Sequence, residues 1–318
     1  MKTKALEKTP AKKTSGMSKL RRVDNWQLFS LTIPGLLVLL FFSYIPMPGI
    51  VLAFKNYNYR DGIFGSPWVG LKNFEFFFKT NLAERLLTNT LELNILYLLV
   101  NTVLTIVLGL MLFELKNRVA IRVYQTIVFL PFIVSWVAAS YANYANLDQH
   151  AGIINSLLKS WGMEPIKWYY EPQLWTWILM LWHLWKIMGH GIIVYYGNLM
   201  SVSPDLFEAA KLDGANRVQM MWHISWPHLR PIVMSFFILS LGGIFSADFG
   251  LFYYMTNDST MLYSRTDVID TYVTRALKSN TNMGMTASIG MLQSLAGFVT
   301  LMVVNKIASW IDENGTVF

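Results

Sequence analysis

The chain has 318 residues, of which 54% are apolar and only 14% charged, and its mean hydropathy is +0.38. Soluble domains carry roughly 25% charged residues, so this composition cannot cover a globular surface, and most of the chain must face lipid or other helices. The absence of cysteine excludes disulfides, thiolate metal sites and thiol nucleophiles. The net charge of +7 does not signal nucleic acid, because eight of the Lys/Arg residues fall in the first 22 positions, ahead of the first apolar run, where they act as a topology signal.

Residues 1–25 are rich in Lys, Thr and Ser and are predicted to form a disordered basic cytoplasmic tail. They are not a signal peptide: the run that follows lacks a small-residue cleavage pattern and ends in Pro46, Met47 and Pro48. The remainder, 26–318, reads as one membrane-embedded domain. Its apolar runs are Leu28–Phe54, Leu93–Phe113, Val123–Leu147, Leu174–Met200 (broken only by Lys186), Pro231–Met255 (broken only by Asp248) and Met283–Asn305. Each reaches the ~20 residues that a helix needs to cross a bilayer. They are too long and too continuously apolar for barrel strands. The expected fold is therefore an all-α polytopic bundle of six transmembrane helices. With the N-terminus inside, fifteen Lys/Arg lie on the inner side and ten on the outer, which places both termini in the cytoplasm.

The loop between the fourth and fifth runs, 201–230, carries the densest signal. Ser203 can cap a helix, Pro204 suits its first position, and Asp205 and Glu208 sit at the positive end of the dipole. Asp213-Gly214 ends that helix, since Gly takes a left-handed conformation cheaply. A second amphipathic stretch, Val218–Trp226, is expected to end at Pro227. Apolar residues on such an inner-face helix pair call for a cytoplasmic partner.

The string Glu208-Ala209-Ala210-x-x-Asp213-Gly214-Ala215, with Ile224 and Pro227 downstream, resembles the EAA loop of ABC-importer permeases. Trp68-Val69-Gly70-Leu71-x-Asn73-Phe74 and Gly152-x-x-Asn155-x-x-Leu158 resemble outer segments of carbohydrate permeases of the maltose and polysaccharide type. Trp226 departs from the leucine usual before the proline. The resemblance implies a type I ABC-importer permease in a bacterial cell membrane. Glu208, Ala209, Ala210, Asp213, Gly214, Ala215 and Pro227 would then form the coupling element that docks on an ATPase. It also implies a second, non-identical permease, two ATPase subunits that hold ATP-Mg, an extracellular solute-binding protein and an oligosaccharide cargo. No nucleic acid enters this scheme.

Inside the runs, His183, Lys186 and His190 share one face of the fourth, at i, i+3 and i+7. Ser246 and Asp248 form the expected opposite wall, and Trp182 lies deep enough to stack on a sugar ring. Intramembrane ionisable groups face a bundle interior or a water-filled path, so these six residues are the candidate substrate path. A cationic face there favours an acidic oligosaccharide. The alternatives are a Lys186–Asp248 ion pair that only holds helices together, or a snorkelling Lys186. Glu92 reads as an outer-interface residue, and Trp168, Trp175 and Trp177 as an interfacial aromatic belt. No G-x-x-x-x-G-K-[ST], H-E-x-x-H or G-x-S-x-G string occurs, and the five histidines lack metal-ligand spacing. No catalytic residue, metal ligand or cofactor is therefore assigned to the chain itself. Two rivals stay open: an importer of a non-sugar solute, and a membrane enzyme using His183, Lys186 and Asp248 as acid/base groups.

Overall fold

The computed structural model describes residues 17–279 and 282–311. It divides into two compact units, one ending at Val51 and one beginning at Leu52. In the first, helix α1 (Met17–Leu39) carries Pro34 within it and runs into a π turn, Leu40–Tyr44. The helix thus begins inside the segment expected to be disordered; residues 1–16 of that segment lie outside the described residues.

In the second unit the long helices are α2 (Asn81–Phe113), the pair α3 (Arg118–Ile133) and α4 (Trp136–Leu147), α5 (Pro172–Leu199), α7 (Trp226–Gly242) and α10 (Met283–Ile311). Shorter helices α6 (Pro204–Leu212), α8 (Phe249–Tyr254) and α9 (Ile269–Lys278) join them. Among the described residues, five helices are long and apolar enough to cross a membrane, or six if α3 and α4 count as one bent span. No strand is present among these residues beyond the isolated bridge Lys55–Trp68.

Two expected spans are interrupted. The run Val123–Leu147 bends by 98° between α3 and α4. Pro131 sits one turn before the bend, and Ser135 caps α4 by accepting from the Ala138 N–H at 3.2 Å. The run Pro231–Met255 stops as a span at Gly242; after a turn, Asp248 caps α8 by accepting from the Gly250 and Leu251 N–H groups. Conversely, the stretch expected to end at Pro227 does not end there. The apolar helix is continuous over Arg217–Gly242, because a π turn at Met221–Ser225 shifts the hydrogen-bond register just where Pro227 lacks an N–H.

Lipid is as apolar as leucine, so helix association rests on packing and interhelical hydrogen bonds. Helix α5 packs against both α2 and α3, and α7 against α10. The main core gathers Leu93 and Tyr97 of α2, Trp175 and Leu179 of α5, and Leu251 and Phe252 of α8. One end of the bundle is tied by charge. Asp267, only 1% exposed, accepts from Arg85 at 2.9 Å and also from Arg275 and from the Thr271 hydroxyl.

Candidate functional site

The 201–230 loop satisfies its own backbone. The Ser203 hydroxyl accepts from the Asp205 N–H at 3.3 Å, starting α6. At the other end Gly214 has φ +81°. The Ala215 N–H donates to Ala210 O at 2.9 Å, and the Gly214 N–H to Lys211 O at 3.1 Å. That pair of bonds is a Schellman motif, which consumes carbonyls the helix end would otherwise leave bare. A capping box follows at once: Asn216 and Gln219 exchange side chain-to-backbone bonds of 2.9 and 2.8 Å. Phe207 leans on Phe113 of α2, with ring centroids 5.7 Å apart. Leu206, Leu212, Val218 and Trp222 remain exposed. Ala210, Asp213, Gly214 and Ala215 border a hollow of about 320 Å³, closed on its far side by Met220, His223 and Ile224. Glu208 and Ala209 are exposed beside it, and Pro227 belongs to the continuous helix. The result is a preformed knob with an apolar, unpartnered surface.

The second feature is a seam between α2, α5 and the α7–α8 segment. One cavity of about 240 Å³ is lined by His183, Ser246 and Asp248 together with Asn94, Asn101 and Ser240. A second, of about 350 Å³, is lined by His190, Thr102 and Thr105 and shares Leu98, Asn101, Ile187 and Ser240 with the first. Four of the six expected path residues therefore border two adjoining cavities with shared lining residues, a seam of polar groups set among apolar ones. The α2 side of that seam was not anticipated from the sequence. Asn94, Asn101 and Thr105 lie at i, i+7 and i+11, one helix face, and that spacing was legible in the second apolar run. Tyr97, on the same helix, stacks between His183 (5.3 Å) and Phe252 (6.2 Å).

Lys186 and Trp182 border neither cavity. Trp182 donates to Asn143 Oδ1 at 2.8 Å and meets Trp185 edge-on. The Lys186 ammonium donates to Phe132 O at 3.1 Å and to Val134 O. Those carbonyls are left bare by the α3–α4 bend, at the negative end of the α3 dipole. The ammonium also lies 5.3 Å from the centroid of the Trp136 ring. The ion pair with Asp248 is not formed. Asp248 Oδ2 accepts instead from Trp136 Nε1 at 2.7 Å, and its Oδ1 caps α8. Trp136 thus stands between the two charges and also packs on Gly250, where any Cβ would fall 2.1 Å from the indole. At one end of the bundle Glu92 pairs with Arg265 at 3.1 Å, both partly exposed.

A bundle of apolar helices with a self-satisfied loop at one end and a polar seam through it has the build of a membrane transport subunit. A family model described as binding-protein-dependent transport system inner membrane component matches residues 101–314, and the chain belongs to that family. Protein LplB of Bacillus subtilis (strain 168) is 34% identical over 307 residues, which are 96% of this chain and 95% of LplB. The polygalacturonan/rhamnogalacturonan transport system permease protein YteP of the same organism is 31% identical over 296 residues, 93% of this chain and 92% of YteP. A solved bacterial ABC transporter involved in the import of the acidic polysaccharide alginate contains a chain of TM-score 0.82 and 28% identity, covering 92% of this chain and 99% of that one. A second structure, of a bacterial alginate ABC transporter in complex with alginate pentasaccharide-bound periplasmic protein, gives TM-score 0.81. The chain is accordingly a multi-pass inner-membrane permease of the type I ABC-importer fold, a transport subunit and not an enzyme.

Proposed function

We propose that this chain is one of two unlike permease subunits of an ATP-driven importer that carries an oligosaccharide into the cytoplasm. The observation that carries the proposal is the joining, by one continuous helix, of a preformed docking loop to a polar seam through the bundle. The seam supplies hydroxyls, amides and imidazoles suited to sugar hydroxyls; Lys186 and Trp182 hold the wall in shape beside it. The names of YteP and of the alginate transporter support a saccharide cargo. The complex with a periplasmic protein supports delivery by a solute-binding partner. In this scheme both termini are cytoplasmic, and the loop residues Glu208–Ala215 seat on an ATPase that holds ATP-Mg. Closure of the ATPases swings the loop and opens the seam outward; hydrolysis returns it inward.

Gly214→Val tests the coupling role. A branched side chain at φ +81° costs on the order of 1–2 kcal/mol and re-aims the knob without touching the seam. Cargo-stimulated ATP hydrolysis by the assembled importer should collapse while the complex still copurifies. Stimulation at the wild-type level would refute the assignment.

A further inference from the structure

We propose that the wall this subunit gives to the path selects an uncharged oligosaccharide and disfavours a uronate-bearing one. The inference rests on the carbohydrate assignment above and narrows it.

The first observation is a census of cations. Among the described residues, no lysine or arginine lines either cavity of the seam. Lys186, the cation closest to it in sequence, is committed to Phe132 O, Val134 O and the Trp136 ring. The cations near the α2–α9 end are committed too. Arg85 and Arg275 hold Asp267, Arg275 also holds Asp258, Arg265 holds Glu92 at 3.1 Å, and Lys278 donates to the Tyr253 hydroxyl at 2.9 Å. A uronate carboxylate entering the seam would lose water and gain no counter-charge from this wall.

The second observation is the sign of the charged side chain found among the described lining residues. Asp248 lines the first cavity, of about 240 Å³. Its three hydrogen bonds, from Trp136 Nε1 and the Gly250 and Leu251 N–H groups, come from neutral donors and supply no counter-charge. A second carboxylate nearby meets repulsion in a site screened less than bulk water.

The third observation is what remains available. The Asn101 amide, the Thr102 and Ser240 hydroxyls and the His183 and His190 rings donate no hydrogen bond within the described chain, yet all border the seam. Neutral donors and acceptors beside the Phe252–Tyr97–His183 stack match a ring with hydroxyls and an apolar face. This sets the chain apart from its structural neighbours, whose cargo is an acidic polysaccharide, and reverses the expectation drawn from Lys186 in the sequence.

The test uses the assembled importer in proteoliposomes with its binding protein. Neutral gluco-, manno- and xylo-oligosaccharides are compared with oligogalacturonate and alginate oligosaccharides. Neutral sugars should stimulate ATP hydrolysis and uptake on the order of tenfold more than uronates. Because the binding protein also filters cargo, a charge scan inside the seam reads this wall directly. The uronate-to-neutral uptake ratio should rise on the order of tenfold in Ser240→Lys over the wild type, since the added cation supplies the counter-charge that this wall lacks, and a ratio discounts any general loss of transport. Uronate uptake by the wild type at the higher rate, or a uronate-to-neutral ratio unmoved by Ser240→Lys, would overturn the inference while leaving the carbohydrate assignment intact. Uptake of no saccharide of either class, with a different solute driving ATP turnover, would sink that assignment and this inference together.

Discussion

Replacing Lys186 with methionine separates three roles for an intramembrane cation. The ammonium lies 3.1 Å from Phe132 O and 5.3 Å from the Trp136 centroid, and bonds Val134 O as well. Hydrogen bonds to a charged donor contribute ~1.5–3 kcal/mol in soluble proteins, but interhelical bonds in membranes average nearer ~0.6 kcal/mol. Lys186 is half-buried, which lowers the figure further, while the cation–π contact adds ~0.5–1 kcal/mol. Lys186→Met should therefore cost ~1–3 kcal/mol, a fall of ~2–12 °C in the melting temperature of the solubilised complex at ~2–4 °C per kcal/mol. Lys186→Arg should recover part of it, because a guanidinium still donates to the bared carbonyls. Maximal uptake should drop with the half-saturating cargo concentration unchanged. Lys186→Met with Asp248→Asn should be no more stable than the single variant, since no ion pair is relieved. A raised half-saturating concentration at an unchanged melting temperature would show that the ammonium meets cargo instead. Rescue by Asp248→Asn would restore the ion-pair account.

Two further outcomes are expected. Asp267→Asn removes the buried carboxylate, 1% exposed, that Arg85 and Arg275 share; because Arg275 keeps Asp258 and Arg85 is 40% exposed, the complex should lose ~1–3 kcal/mol, read as a loss of assembled importer in gel filtration. Asp270 of α9 accepts from the Ala247 N–H at 2.7 Å and from Gln293, yet burial holds its carboxyl above the ordinary carboxylate range. A raised folded-state value means that the ionised form costs stability at neutral pH. Protonation, as pH falls through that value toward the ordinary carboxylate range, should recover it. The melting temperature of Asp270→Asn should lack that rise, and an equal rise in the variant would exclude Asp270 as its source.

The helical membrane fold was legible because continuous apolar runs and their charge flanks are local signals. The shape of the 201–230 loop was legible for the same reason: Ser203, Pro204 and Gly214 act on their own backbone, and the structure places a cap, a first-turn proline and a left-handed glycine there. The two interruptions were not. Phe129–Trp136 is almost uniformly apolar, and what makes its bend tolerable is a lysine 52 residues away donating to Val134 O. Asp248 looked like a charge in need of a partner, whereas its carboxylate serves as a helix cap and an indole acceptor. In each case the polar side chain went to backbone or ring groups that only the tertiary fold brings near. The π turn that carries a helix past Pro227 is likewise invisible to a rule that stops helices at proline.

The continuous helix Arg217–Gly242 makes the 201–230 loop the short end of a lever. Its 26 residues span ~39 Å at ~1.5 Å per residue. It starts at the capping box that closes the loop and reaches Ser240 in the seam at its far end. A tilt of only ~5° about its base would carry that far end ~3 Å over this length, about the width of a hydroxyl contact. A stroke too small to reshape the bundle is therefore enough to make or break one layer of hydrogen bonds to whatever lies in the seam. The gearing is set by where the π turn sits, since a register change close to the fulcrum leaves the long arm straight.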